Sequence, residues 1–61
     1  MFKDKIKEIR KEKNMTRKEF AEVIGFADNT IYIWERGVSA PGLGSILQIA
    51  ERLDIDPKEL L

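Results

Sequence analysis

Apolar residues recur along the chain at intervals of three or four positions, with charged or polar residues between them. This period places the apolar side chains of each segment on one face of an α-helix. The pattern predicts helices over about residues 2–13, 17–24, 28–36 and 43–53. Their buried faces would consist of Phe2, Ile6 and Ile9; of Phe20, Ala21 and Ile24; of Thr30, Ile31 and Trp34; and of Leu43, Ile46, Leu47, Ala50 and Leu53.

Capping residues mark the ends of the second and third helices. Thr16 is followed three positions later by Glu19, which is the spacing of a capping box, so a helix should begin at residue 17. Gly25 and Gly37 stand where a left-handed residue ends a helix. Ala27 occupies the start of the third helix, where it offers no side-chain cap, and Asp28 would cap the helix instead or favour its dipole.

Further stops lie near the two ends of the chain. Asn14 and Asp54 tolerate the left-handed conformation and should end the first and fourth helices. Asp56 followed by Pro57 predicts the start of a final short helix. Leu60 and Ile55 would close the core, while Leu61 is either a core residue or part of a dimer interface.

The stretch from Thr16 to Gly37, TRKEFAEVIGFADNTIYIWERG, resembles the helix-turn-helix of the phage repressor and Cro (XRE) family of DNA-binding domains. The flanking segments IKEIRKEKNM and LGSILQIAERLDIDPKELL fit the family's first, fourth and fifth helices. The resemblance implies an all-α, compact five-helix, lambda-repressor-like domain over residues 1–61. The matching residues are Thr16, Glu19, Phe20, Ala21, Ile24, Gly25, Thr30, Ile31, Trp34, Glu35 and Gly37.

The resemblance also implies a function. The protein would be a small transcriptional regulator that binds double-stranded DNA sequence-specifically, and more tightly as a homodimer than as a monomer. The recognition helix, about residues 28–36, would enter the major groove with its outward face. Asn29 could pair with adenine, Asp28 could accept from cytosine, and Tyr32 could contact a thymine methyl or a phosphate. The expected DNA-binding residues are Arg17, Lys18, Asp28, Asn29, Tyr32, Ile33, Arg36 and Ser39.

Two charge pairs are expected between helices. Arg17 and Lys18 lie in the first turn of a helix, where the dipole disfavours cations unless a phosphate lies nearby. We expect Arg17 to form a salt bridge with Asp28 and so to point towards guanine or phosphate; the alternative is an ordinary exposed ion pair. The family resemblance implies a second, partly buried ion pair between Arg10 and Glu35, which would tie the first helix to the third.

Two departures from the family favour another function. The segment 38–45 contains no lysine or arginine, although family members are often basic there. Ile33, with Phe26, Tyr32 and Val23, could form an exposed apolar patch. The alternative hypothesis is therefore a protein-interaction module that uses the same fold and an apolar recognition-helix face.

Composition excludes several classes of function. The 61 residues include no cysteine and no histidine. The chain therefore has no thiolate or imidazole to bind a metal ion and no histidine for catalysis, so we expect neither an enzyme nor a cofactor. The apolar runs are too short for a membrane span, which predicts a soluble, cytoplasmic protein. Net charge is zero, yet residues 1–20 hold eight basic and four acidic side chains, so the positive surface should come from the first two helices.

Overall fold

The computed structural model describes residues 2–61, which form four α-helices and a closing 3-10 helix. They are α1 (Phe2–Glu12), α2 (Arg17–Ile24), α3 (Asp28–Glu35), α4 (Leu43–Leu53) and the 3-10 helix Pro57–Leu60. The all-α prediction is confirmed, but the expected fifth α-helix is a 3-10 turn, because its backbone bonds join residues three apart. None of the helices in residues 2–61 is long and apolar enough to cross a membrane.

The core lies where all the helices meet, with α2 and α3 forming one wall. Each element of secondary structure contributes at least one side chain that is fully shielded from solvent. Burial of these side chains supplies most of the driving force for folding. The residues are Ile6, Phe20, Ile24, Ile31, Ile49 and Leu60.

The buried face of α4 differs from the predicted one. Ile46, Ala50 and Leu53 are buried as expected, but Ile49 joins them, and Leu43 and Leu47 are 67% and 48% exposed. Two overlapping apolar stripes run along this helix and share three residues, so periodicity alone does not choose between them. The helix turns the Ile49 stripe inward and leaves two leucines, four positions apart, on its outer surface.

The predicted capping residues adopt the expected conformations. The Thr16 hydroxyl accepts a hydrogen bond from the Glu19 amide at 3.1 Å, and the Glu19 carboxylate accepts one from the Thr16 amide at 2.9 Å. Gly25 has φ of 81°, while Asn14 and Asp54 have φ of 55° and 56°. Local chemistry therefore fixes where α1, α2 and α4 end and where α2 begins.

A side chain of α4 holds the end of α2. Gln48 Nε2 donates a 3.1 Å hydrogen bond to the Ile24 carbonyl, which is one of the free acceptors at the helix C-terminus. A Cβ at the adjacent Gly25 would lie only 3.0 Å from the same Nε2 atom. The turn between α2 and α3 is thus fixed both by a left-handed glycine and by close packing on α4.

Trp34 of α3 is almost fully buried between two other aromatic rings. The Phe2 ring meets it edge-on at a centroid distance of 5.9 Å, and the Phe26 ring does so at 5.0 Å. Such edge-to-face contacts add to the gain from burial. They connect the start of α1 and the turn before α3 to the last turn of α3.

Candidate nucleic-acid interface

Arg10 and Glu35 form a two-pronged ion pair that joins α1 to α3. Arg10 Nε donates to Glu35 Oε2 at 2.7 Å and Nη2 donates to Oε1 at 3.0 Å. A third donor, Nη1, reaches the Met15 carbonyl at 3.0 Å. The side chains are only 15% and 8% exposed, so this arginine is occupied within the protein and has little surface left for a phosphate.

The two-helix unit turns one side of α3 inward and the other outward. Ile31 and Trp34 are buried against the core, whereas Asp28, Asn29 and Tyr32 are exposed. The helix begins after Ala27, which provides no side-chain cap. Asp28 therefore lies at the first helical position, where its charge favours the helix dipole.

An open concavity of about 260 Å³ lies where the first turns of α2 and α3 meet. Its walls are formed by Arg17 from α2 and by Asp28, Asn29 and Tyr32 from α3. All four were expected to contact DNA. The fold brings them together because the glycine turn places the starts of the two helices side by side.

The expected salt bridge between Arg17 and Asp28 is absent, and the prediction is wrong. Among residues 2–61, the one ion pair within 4.0 Å is that of Arg10 and Glu35. Arg17 instead places its guanidinium carbon 4.7 Å from the centre of the Tyr32 ring. The negative face of an aromatic ring attracts a cation, and for a half-buried arginine this contact competes with an exposed ion pair.

Tyr32 also holds a second arginine. Arg36, one turn further along, donates from Nη1 to the Tyr32 hydroxyl at 2.6 Å, and its guanidinium carbon lies 5.3 Å from the ring centre. One ring thus gathers two positive groups on the outward side of α3. The contact between Tyr32 and Arg36 joins residues four positions apart on one helix face, whereas the contact between Tyr32 and Arg17 depends on the crossing of α2 and α3 and has no sequence signal.

Several polar side chains at or beside the concavity make no hydrogen bond or ion pair within the part of the chain that the structure describes. Across the described residues, the side chains of Arg17, Lys18, Asp28 and Asn29 take part in no hydrogen bond or ion pair. They expose charged donors, a charged acceptor and an amide to solvent. Such groups can bind an external ligand without first breaking an internal hydrogen bond or ion pair.

The remaining predicted residues lie outside the concavity. Lys18 is exposed on α2, and Ile33 is half-buried on α3. Ser39 lies in the loop after α3, beside a separate hollow of about 160 Å³. A surface that includes all of them would therefore extend from the start of α2 to the loop before α4.

Lys3 is a cation near this loop that was not predicted as a site residue. A Cβ at Gly37 would lie 2.9 Å from Lys3 Cδ and 3.6 Å from its Nζ, so the lysine crosses the turn after α3. Gly37 has φ of 75° and leaves room for it. The excess of basic residues in the first third of the chain was the sequence signal that could have identified Lys3. This lysine supplies positive charge beside segment 38–45, which contains no lysine or arginine.

The apolar patch expected for a protein-binding surface is not continuous. Val23 and Phe26 pack against the core, and the Tyr32 ring lies against two guanidinium groups. Ile33 remains half-buried beside them. The outward face of α3 is therefore mainly polar.

The capping box also affects the charge of Glu19 at the start of α2. Hydrogen bonds from the Thr16 amide and then from its hydroxyl hold the pKa of Glu19 below its usual value. Glu19 therefore stays ionised to lower pH than an ordinary glutamate, and its charge lies close to Arg17 and Lys18 in sequence.

Comparisons with known proteins agree with this geometry. The helix-turn-helix family model HTH_3 matches residues 6–60. The chain is 31% identical over 61 residues to the cryptic phage CTXphi transcriptional repressor RstR of Vibrio cholerae, and it spans about half, 55%, of that relative's length. It also matches the crystal structure of the restriction-modification controller protein C.AhdI from Aeromonas hydrophila, with a TM-score of 0.87 and 32% identity over 98% of this chain and 91% of that one.

Proposed function

The chain belongs to the HTH_3 helix-turn-helix family, and on that premise we propose that it binds double-stranded DNA sequence-specifically as a small transcriptional regulator. The observation that carries the proposal is the concavity at the starts of α2 and α3, where the side chains of Arg17, Asp28 and Asn29 make no hydrogen bond or ion pair within the described residues. In this proposal α3 enters the major groove, as recognition helices of this type do. The similarity to RstR, a transcriptional repressor, supports a role in repression.

The proposed contacts are of two kinds: some would position the protein on the DNA backbone, and others would read the bases. Lys18, Arg36 and Ser39 would bind phosphates along the backbone, which fixes the register of the protein but carries no sequence information. Arg17, Asp28, Asn29 and Tyr32 would meet base edges, and Ile33 would contact a thymine methyl group. Few of these residues are cations, so we expect a single chain to bind weakly.

We further propose that two copies bind paired half-sites, because a second copy would add the phosphate contacts that one chain lacks. Leu43 and Leu47 are exposed on one face of α4 and would form part of the contact between copies. Sedimentation equilibrium would test this, with Leu47→Lys expected to weaken self-association and Lys7→Ala expected to leave it unchanged. A wild-type chain that stays monomeric at high concentration, both free and on DNA, would contradict the dimer.

The same proposal covers the organisation of the chain. Residues 1–61 would act as one domain, with the 3-10 helix Pro57–Leu60 taking the place of the fifth helix of a lambda-repressor-like fold. We also propose that the protein acts in the cytoplasm without enzymatic activity.

Amide NMR would test DNA binding directly. The labelled chain would be titrated with a mixed-sequence duplex at low salt and again at physiological salt. We expect shifts at residues 16–18, 28–33 and 36–45 that weaken as salt rises, because phosphate binding releases condensed counterions.

Matched variants separate this surface from the remaining positive charge. Lys18→Gln should lower the affinity at low salt and reduce the slope of log K against log salt by about 0.9, the value for one phosphate contact. Lys7→Gln removes a positive charge from α1 outside the proposed surface and should leave the slope unchanged. If no amide shifts at low salt, DNA binding would be rejected and the protein-interaction hypothesis would lead.

A further inference from the structure

We propose that Arg17 and Asp28 together read one G·C base pair, and that Tyr32 is the positioning residue that aims Arg17 at the guanine. This inference rests on the proposed function and specifies what one part of the DNA surface recognises. It concerns the concavity lined by Arg17, Asp28, Asn29 and Tyr32.

The first argument is that two opposite charges share a concavity without pairing. Arg17 presents only hydrogen-bond donors and ionised Asp28 presents only acceptors, yet no ion pair joins them in the structure. In the major groove a G·C pair offers two acceptors on guanine, O6 and N7, and one donor on cytosine, the N4 amino group. Arg17 and Asp28 together present the complementary set.

The second argument concerns the aim of Arg17. Its guanidinium carbon lies 4.7 Å from the centre of the Tyr32 ring. A contact with the ring uses the charge of the guanidinium group and consumes none of its five N–H donors. Arg36 fixes the ring in turn through the 2.6 Å bond to the Tyr32 hydroxyl. The position of Arg17 is therefore restricted before DNA binds, while its N–H donors remain free.

The third argument rejects the alternatives for this concavity. A phosphate would be attracted by Arg17 but repelled by the carboxylate of Asp28 in the same wall. In an A·T pair the donor and an acceptor belong to the same base, adenine, which suits the amide of Asn29 better than a separate cation and anion. A G·C pair places its acceptors and its donor on different bases, as the protein divides its donors and acceptor between two residues.

Selection from a pool of randomised duplexes would test the inference with the full chain. Wild-type protein should retain sequences with one fixed G·C pair in each half-site, preferred roughly 10- to 100-fold over A·T at that position. Arg17→Ala should lose this preference while keeping those at other positions, and Asp28→Asn, which loses the charge but keeps one acceptor, should weaken it. Lys18→Ala, as a proposed phosphate contact, should weaken binding to all retained sequences alike.

Replacing the fixed guanine by 7-deazaguanine tests the contact at one atom, because the modified base lacks the N7 acceptor but still pairs with cytosine. We expect about a tenfold or greater loss of affinity for the wild type, the value of one good base contact. Arg17→Ala should show no such loss. Tyr32→Leu should bind with a reduced sensitivity to 7-deazaguanine, whereas Tyr32→Phe, which keeps the ring, should retain more of it. A purely structural role for Tyr32 would lower the affinity for both duplexes equally.

The outcomes separate this inference from the proposed function. If DNA is retained and enriched but Arg17→Ala or Asp28→Asn changes affinity uniformly across sequences, the two residues do not read this base pair and the inference fails alone. If the wild type retains no DNA at low salt, both proposals fail. Circular dichroism of each variant checks that the helices remain, and the near-isosteric Asp28→Asn keeps the test valid if Arg17→Ala is poorly folded.

Discussion

Two arginines of this protein each lie near a carboxylate on another helix, with opposite results. Arg10 binds Glu35 through two hydrogen bonds at 2.7 and 3.0 Å, inside the seam between α1 and α3. Arg17 shares a concavity with Asp28 on the outer side of α3, but the two form no ion pair. At the seam, which is the ion pair of Arg10 and Glu35, the two charges bind each other. In the concavity, the charges of Arg17 and Asp28 remain free to bind a ligand.

The difference follows the burial of the carboxylate, because Glu35 is 8% exposed whereas Asp28 is exposed to solvent. A charge removed from water must be paired, because a buried, unpaired ion costs several kcal/mol. An exposed charge keeps its hydration and needs no partner in the free protein. We therefore expect mutations at the seam to change stability and mutations at the concavity to change binding.

Breaking the seam should have the largest effect on stability. Arg10→Met leaves Glu35 buried without its partner and should lower the free energy of unfolding by about 3 kcal/mol. A domain of this size has only on the order of 3–5 kcal/mol in total, so much of the variant would be unfolded at room temperature. Urea denaturation followed by circular dichroism would measure the change.

Two further variants make that result specific. Lys7→Met removes an exposed charge from the same helix and should change stability by less than about 0.5 kcal/mol. Arg10→Met combined with Glu35→Leu should recover most of the loss, because no unpaired charge remains. A single Arg10→Met variant as stable as the wild type would show that the seam is not what holds α1 to α3.

Capping α3 should add stability on the side of the concavity. Ala27 offers no side-chain acceptor to the first turn of α3, and Ala27→Ser would supply one, which should raise the free energy of unfolding by about 1 kcal/mol. The same denaturation experiment measures it. Ala27→Val, which adds volume but no acceptor, is the control and should give no gain; equal stabilisation by both would reject capping as the cause.

Removing Arg17 should change stability little. Its contact with the exposed Tyr32 ring is worth roughly 0.5 kcal/mol, so Arg17→Ala should shift the unfolding midpoint only slightly. DNA affinity should fall in the same variant, which is the opposite of the pattern expected at the seam. A loss of stability comparable with that of Arg10→Met would remove the distinction between the two regions.

The smallest effect on stability should come from lowering the pH. Because the pKa of Glu19 is lowered in the folded state, the capping box adds stability above the unfolded pKa and loses it as pH falls through the folded value. NMR titration of the Glu19 carboxyl would measure this. Thr16→Ala removes the hydroxyl but keeps the backbone amide that lowers the pKa most, so it should return the pKa of Glu19 only part of the way to its usual value, whereas Lys18→Ala should leave the lowering in place.

Much of the fold could be predicted because its boundaries are set by local chemistry. Thr16 with Glu19, Gly25, Asn14, Asp54 and Asp56 each act through their own backbone or the next few residues. The buried stripe of α2 likewise follows directly from spacing, as does the burial of Ile31 and Trp34 in α3, whereas Thr30 is only half-buried. On α4, by contrast, two stripes competed, and the choice of Ile49 over Leu43 and Leu47 depends on how the whole helix lies on the core.

The residues that line the concavity were among those predicted, but their contacts were not predicted correctly. Arg17, Asp28, Asn29 and Tyr32 were all expected at the DNA surface, and they do line one concavity. Pairing by charge suggested Arg17 with Asp28, but the nearer partner is an aromatic ring whose position depends on the crossing of α2 and α3. The hydrogen bond from Gln48 to the Ile24 carbonyl was also missed, since nothing local marks a side chain that binds a distant helix end.

The positions of the aromatic residues give the protein two optical reporters on opposite sides of one helix. The chain has one tryptophan and one tyrosine, and both belong to α3. Trp34 is 6% exposed, between Phe2 and Phe26, so its fluorescence should change when the core opens and stay constant when a ligand docks outside. Tyr32, on the outer side, should respond to the docked ligand. Unfolding and recognition can therefore be followed separately in the unlabelled wild-type chain.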